Sequence, residues 1–431
     1  MDSVDSRDEE SPLVVSDSQS KTLQNHTRDV HILSCSFLLI FLAYGATQNL
    51  ESSVNTDLIF ISGRRFGNYC AGDIVSILHH FSLIASLVVR MMGSKNALIL
   101  GTTGYWLFMA ANLKPRWSTM VPASVYLGFA ASVIWVGQGT YLTATARSHA
   151  NDNNLHEGTV IGNFNGEFWG MFASHQFAGN LITLALLKDG TQFLWFGFFY
   201  ITAEGSAGGT TLLFIVFLCS MTLGTILMWF LRRRDNKGEE GSLEPASVIT
   251  PLFDVRMLLI IPLFVYSGLQ QAFVWAEFTK YIVTPALGVS GVGGSMAVFG
   301  AFDAICSLAA GRLTPGLLSI TWIVSGGAFA QVIVLLWILL KYRVTSGVLG
   351  TIYPLLMAAI WGIGDGVFNT QINALIGILF KNDTEGAFAQ YKVWQSASIS
   401  AVFFLSPYIS LQAMLVVMLA SLFTAFSAFL F

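Results

Sequence analysis

Twelve stretches of this sequence are long and apolar enough to cross about 30 Å of hydrocarbon, and they follow one another along the whole chain. They run roughly over 32–50, 73–89, 97–113, 120–146, 164–187 and 210–231, then 257–280, 291–310, 319–340, 347–380, 392–408 and 411–431. Lipid offers backbone N–H and C=O groups no partner, so only helices or a closed barrel can satisfy such segments, and their length selects helices. The widest polar gap, "RRRDNKGEEGSLEPASVITPLFDVR" at 232–256, splits them into two sets of six. The expected organisation is a disordered cytosolic tail at 1–30, a six-helix bundle at 31–231, a cytosolic linker at 232–256 and a second bundle at 257–431.

Composition then removes whole classes of function. Charged residues make up 11% of the chain and mean hydropathy is +0.63, where soluble domains carry about 25% charge. A net charge of −3 without a dense basic block excludes nucleic-acid binding as a main role. Cys35, Cys70, Cys219 and Cys306 are scattered, which suits neither a disulfide framework nor a metal site. The first 30 residues lack the basic start and small-residue cleavage site of a signal peptide. There is no P-loop, nucleophile elbow or metal-spaced His/Cys set, so the chain reads as a non-enzyme without cofactor or metal.

Lys and Arg placement sets the expected orientation. With the N-terminus inside, Arg7, Lys21, Arg28, Arg90, Lys95, Arg147, Arg232, Arg233, Arg234, Lys237, Arg256, Arg312, Lys381 and Lys392 fall on the cytosolic side. The opposite side keeps Arg64, Arg65, Lys114, Arg116, Lys188, Lys280, Lys341 and Arg343. Fourteen against eight favours both termini in the cytosol, where the sequons at Asn25 and Asn382 would stay unmodified.

The two sets echo one another. "FLAYGATQNLE" from Phe41 resembles "LFVYSGLQQAF" from Leu263, matching Tyr44 to Tyr266, Gln48 to Gln270 and Asn49 to Gln271. "WVGQGTY", with Gln138 between Gly137 and Gly139, resembles "WGIGDGVF", with Asp365 between Gly364 and Gly366. "HEG" at His156 matches "TEG" at Thr384, and the three spacings lie between 222 and 228 residues. A parallel six-helix repeat is the plan of major facilitator transporters. The expected fold is therefore an all-α polytopic membrane protein of twelve transmembrane helices in two pseudo-symmetric bundles. Spans one, four, seven and ten should line its central cavity. Tyr44, Gln48 and Glu51 share one helical face, as do Tyr266, Gln270 and Glu277, and Asp365 and Asn369 form an i, i+4 pair extended by Asn373. The cavity candidates are Tyr44, Gln48, Gln138, Tyr266, Gln270, Gln271, Asp365 and Asn369.

With these residues in view, the chain resembles the Unc-93-like family of the major facilitator superfamily, and its plant members in particular. The resemblance rests on "FLAYGATQNLE", "ASLVVRMMGSKNALILGTTGYW", "GFAASVIWVGQGTYLT", "HEGTVIGNFNGEFWGMF", "YSGLQQAFVWAEFTK", "GIGDGVFNTQI", "DTEGAFAQYKVWQS" and "FFLSPYISLQ". It implies a role in potassium homeostasis through regulation of a potassium channel, or the escort of other membrane proteins through endomembranes. Three stretches depart from the pattern. "IFISGRRFGNYCAGDIVSILHHFS" places Arg64, Arg65, Asp73, His79 and His80 where the family is apolar, "TQFLWFGFFYITAEGSAG" adds an interfacial aromatic run, and Phe431 ends the chain without a polar tail. The superfamily's gating loops survive as Arg90, Gly93 and Lys95, and as Gly311 and Arg312, with the acid missing from both. The expectation is a weakened latch.

Asp365 reads as an unpaired carboxylate near mid-membrane, functional by default, or else hydrogen-bonded to Asn369 or to a neighbouring helix. Asp303 is either a coupling site or the partner of Arg312. Glu167 and Glu277 are expected near span ends in structural roles, and His175 either titrates near neutral pH or is a satisfied core residue. Tyr44, Gln48, Gln270 and Gln271 either ligate a cation or solute or tie helices together. "DEESPLV", through Glu9, Leu13 and Val14, has the form of an acidic dileucine-type sorting signal. The leading reading is a potassium-channel or potassium-homeostasis regulator whose partners are the bilayer and a channel or other membrane protein. The alternatives are a proton- or cation-coupled transporter of a small solute, with Asp365, Asp303, Glu167 or His175 as coupling groups, and a trafficking escort. Plasma membrane and endomembrane both stay open.

Overall fold

A computed structural model describes residues 26–45, 47, 84–113, 116–188, 207–234, 250–341 and 347–431. Gln48, Glu51, the altered stretches at 58–80 and 191–204, the sorting-type motif and most of the linker lie outside the described residues. The described residues form helices joined by turns: α1 His26–Gly45, α2 at 84–92, α3 Ser94–Ala111, α4 Trp117–Asp152, α5 Glu157–Lys188 and α6 Ala207–Trp229. The second half of the chain adds α7 Val255–Gly288, α8 Gly291–Arg312, α9 Leu317–Leu340, α10 Val348–Leu379, α11 Thr384–Leu405 and α12 Leu411–Leu430. The chain is an all-α multi-pass membrane protein. Among the described residues seven helices (α1, α4 and α7–α10, with α12) are long and apolar enough to span. α5 and α11 miss that standard because their faces carry Asn165, Glu167 and His175, or Gln390, Lys392 and Gln395.

Local chemistry sets the boundaries. Asp254, Asp383 and Ser410 cap α7, α11 and α12 by accepting from the backbone N–H groups of Arg256, Gly386 and Ala413. The Arg256 guanidinium beside Asp254 also holds that carboxyl below its ordinary range. Gly93 and Gly288 end their turns at φ 78 and 75°, a left-handed conformation that a side chain would strain. Inside the helices, many hydroxyls donate to the carbonyl one turn back, as Ser34 does to Val30 and Ser132 to Gly128, which satisfies them in an apolar setting. The expected tail ends earlier than 30: His26 opens α1 and pairs with Asp152 at 2.8 Å. α7 runs past the expected 280, since Phe273–Val283 is wound as a π-helix.

Close helix contacts come from small residues. A Cβ on Gly166 would lie 2.7 Å from the Cα of Gly311, and one on Gly162 2.6 Å from Thr314, so α5 and α8 touch backbone to backbone. A Cβ on Gly366 would lie 2.6 Å from the carbonyl oxygen of Asp303, which brings α8 against α10. These contacts join the two halves of the chain and bring its buried acids together.

Candidate functional site

Asp365 on α10 and Asp303 on α8 are each 4% exposed and lie close together, since a Cβ on Gly366, next to Asp365, would stand 3.0 Å from Asp303 Oδ1. Two carboxyls buried so near one another are tolerated in a poorly solvated interior only when one carries a proton. Gln270 of α7 donates to Asp365 Oδ1 at 3.2 Å, and buried Asn369 lies one turn away on the same face of α10. Ser307 donates to Asp303 Oδ1 at 3.1 Å. Asp365 is thus not unpaired: a neighbouring helix bonds it, the second of the two readings, and Asp303 lies beside it. Asp303 does not pair with Arg312, which is exposed at the end of α8. The reason is steric, because Gly366 lets α10 approach α8 at the level of Asp303.

Sequence reasoning placed Lys392 at a cytosolic helix end; the structure buries it. It sits nine residues into α11, only 6% exposed, with Nζ 4.9 Å from the ring centre of Trp135, 5.9 Å from Trp169 and 4.3 Å from Tyr391. Its ammonium donates to Gln395 Oε1 at 2.9 Å, and Gln395 in turn donates to the Tyr391 hydroxyl at 3.1 Å. Among the described residues the charge acting on Lys392 is Asp365, through space. Trp135 and Trp169 come from α4 and α5, so Lys392 lies where the two halves of the chain meet. A cation inside a span marks a functional site by default. The available signal was the capping sequence "DTEG", which starts α11 two turns before the expected 392.

The other candidates are placed apart from this cluster. Tyr44 packs edge-on against Tyr105 of α3 at 5.1 Å, and Tyr266 donates to Gln331 of α9. Gln138 is fully buried, and neither its amide nitrogen nor its oxygen has a partner. Gln271 is half-buried beside Gln270. His175 stacks within 4.5 Å of Phe172 with Nδ1 on the Phe172 carbonyl, the satisfied-core reading. Glu167 pairs with His31 of α1, well inside α5 and not at its end. Glu277 is likewise no end residue: it is 1% exposed and bonded to Ser406. The described residues hold no group of three or more His, Cys, Asp or Glu suited to a metal.

One end of the molecule is latched. Arg90, at the end of α2, pairs with Asp383, the cap of α11. Arg147 of α4 reaches Glu157 at 3.2 Å, the Gly377 carbonyl at 2.8 Å and Thr384 Oγ1 at 3.3 Å, and Lys381 pairs with Glu157. Lys95 donates to the Trp229 carbonyl at 2.8 Å. The acid absent from both loops has a counterpart in the far half of the sequence, Asp383. Gly93 makes the α2–α3 turn and Gly311 the α5–α8 contact. The arrangement can hold and release a proton at a buried carboxyl pair, offer a buried cation beside it, and close one end with ion pairs that must break for that end to open.

Comparison with known proteins adds the lineage. A family model described as "Ion channel regulatory protein UNC-93" matches residues 64–430. The chain is 66% identical to UNC93-like protein 3 of Arabidopsis thaliana, over 96% of this chain and 88% of that one. It is 28% identical to the putative potassium channel regulatory protein unc-93 of Caenorhabditis elegans, over 90% of this chain and 58% of that one. In fold it matches the human organic anion transporter MFSD10, with a TM-score of 0.66 at 12% identity over 94% of this chain and 99% of that one. It also matches the major facilitator transporter FucP in its outward conformation, with a TM-score of 0.65 at 12% identity over 93% and 97%.

Proposed function

Since the chain belongs to the UNC-93 family and has a fold like that of major facilitator transporters, we propose that it is a proton-coupled secondary transporter of a small solute. In this reading twelve membrane helices form two six-helix halves, 31–231 and 257–431, joined by the linker at 232–256. The observation that carries it is the buried Asp303–Asp365 carboxyl pair. Membrane interiors tolerate such a pair only with a proton in it, and a group that holds a proton at the contact between helices can exchange it as they move. Arg90, Lys95, Arg147 and Lys381 gather at the latched end, which supports reading that end as cytosolic. The opposite end then admits the solute, and loading the pair favours the rocking that breaks the Arg90–Asp383 and Arg147–Glu157–Lys381 contacts. Purified protein in proteoliposomes, offered a panel of labelled amino acids, sugars, monocarboxylates and quaternary amines under an inward proton gradient, accumulates at least one of them. No accumulation of any member overturns the reading.

A second reading, regulation of a potassium channel, is supported by the family description and the nematode relative. It predicts that co-expression changes a channel's current while proteoliposomes stay impermeable to rubidium. Unaltered currents across the potassium channels of the same membrane count against it.

A further inference from the structure

Lys392 is a buried amine with spare donor capacity. Its ammonium has three donors, and Gln395 takes one. The rings of Trp135, Trp169 and Tyr391 attract the cation by their faces but offer no acceptor atom for the remaining N–H groups. Beside it, the indole N–H of Trp169 is buried and has no partner. A buried donor left unpaired is costly, and here the unused donors of one cation and one indole belong to side chains in mutual contact. The carboxyl of Asp365 acts on this cation from α10, with Asp303 of α8 behind it, and the phenol of Tyr391 flanks it on α11. Asp365 makes no direct ion pair with it and is held instead by Gln270.

We propose that Lys392, with the Trp169 indole N–H, binds the anionic head of a small organic anion, the apolar body of which lies against Trp135 and Trp169. This rests on the transporter reading and supplies its substrate class. Potassium is a poor occupant, because the position a cation would take against these rings is filled by the ammonium, and a second positive charge there is repelled. Charge balance also fixes the coupling. An anion added beside Lys392 leaves the cluster with surplus negative charge in a poorly solvated interior, which is relieved when a proton accompanies it onto the Asp303–Asp365 pair. One anion and one proton then cross together with no net charge.

The test is binding of radiolabelled benzoate to the purified full chain, with lactate, potassium and tetraethylammonium as competitors. Benzoate binds saturably, lactate competes, and the two cations do not. Lys392→Met weakens binding by about tenfold or more, Lys392→Arg restores part of it, and Trp169→Phe, which keeps the ring and removes the N–H, weakens it by about fivefold. Absence of saturable binding by benzoate and lactate overturns the proposal. So does full binding by a Lys392→Met protein that keeps the wild-type melting temperature. Should Lys392→Met not fold, Trp169→Phe decides, since unchanged affinity there is equally fatal. Binding without flux in proteoliposomes contradicts transport and leaves the anion site standing, whereas cation flux without anion binding does the reverse.

Discussion

Arg147 is the part of the latch whose contribution can be worked from geometry. Its guanidinium crosses from α4 to the second half of the chain, donating to the Gly377 carbonyl at 2.8 Å, Thr384 Oγ1 at 3.3 Å and the Lys381 carbonyl at 3.4 Å. The side chain is 26% exposed, so solvent screens it only in part. Hydrogen bonds to charged groups contribute about 1.5–3 kcal/mol each. Taking the short bond at about 1.5 kcal/mol and the two long ones together at about 0.5 gives roughly 2 kcal/mol held only while this end is shut. Arg147→Gln therefore shifts the closed–open equilibrium toward open by about thirtyfold. Spin labels at Met91 and Leu313, both exposed at the latched end, report it by electron-resonance distance measurement in a background with Cys35, Cys70, Cys219 and Cys306 replaced. The expected result is a longer-distance population that grows in Arg147→Gln and grows further when Arg90→Gln is added. A distance distribution identical to wild type in both folded variants refutes the reasoning, because the contacts would then not be specific to the closed state.

Other consequences can be measured on stability alone. Gly366→Ala places a methyl 2.6 Å from the Asp303 carbonyl and 3.0 Å from its Oδ1, and is expected to cost about 1–3 kcal/mol of overpacking, read as a lower melting temperature in detergent. Tyr266→Phe removes the donor to buried Gln331, whose amide nitrogen already lacks a partner, and costs about 1–3 kcal/mol in the same assay. The Asp254 carboxyl is held below its usual range by Arg256, so its contribution is present above the unfolded-state pKa of about 3.9 and is lost as pH falls through the lower folded value. Asp254→Asn should accordingly melt below wild type at neutral pH and converge with it in acid; a constant difference across that range would contradict the assignment.

How far the molecule could be read from its sequence follows from where each signal resides. Helices, their boundaries and their membrane character are written locally, in runs of apolar residues and caps such as Asp254 and Asp383. The Gln270–Asp365–Asn369 grouping was legible from helical spacing and the internal repeat. The partnership of Asp303 with Asp365 was not, because it depends on two helices meeting at Gly366, far apart in sequence. Lys392 was lost to a boundary error: starting α11 at 392 made a central lysine look terminal, when the cap at Asp383 puts it about 12 Å into the helix. The latch acid escaped notice for a similar reason, since Asp383 lies 293 residues from Arg90. Tyr44, set against Tyr105, and Tyr266, bonded to Gln331, share a repeat position yet pack into their own surroundings. Sequence symmetry fixes a residue's height and face on its helix, not its neighbours.

The claim at the centre of this account is that the Asp303–Asp365 pair carries the coupling proton, and comparing Asp365→Asn with wild type in two modes of one proteoliposome assay tests it most directly. A solute that wild type accumulates under a proton gradient should still exchange across the membrane in Asp365→Asn but no longer concentrate when the gradient is imposed. Gradient-driven accumulation that persists in Asp365→Asn and in Asp303→Asn would contradict it.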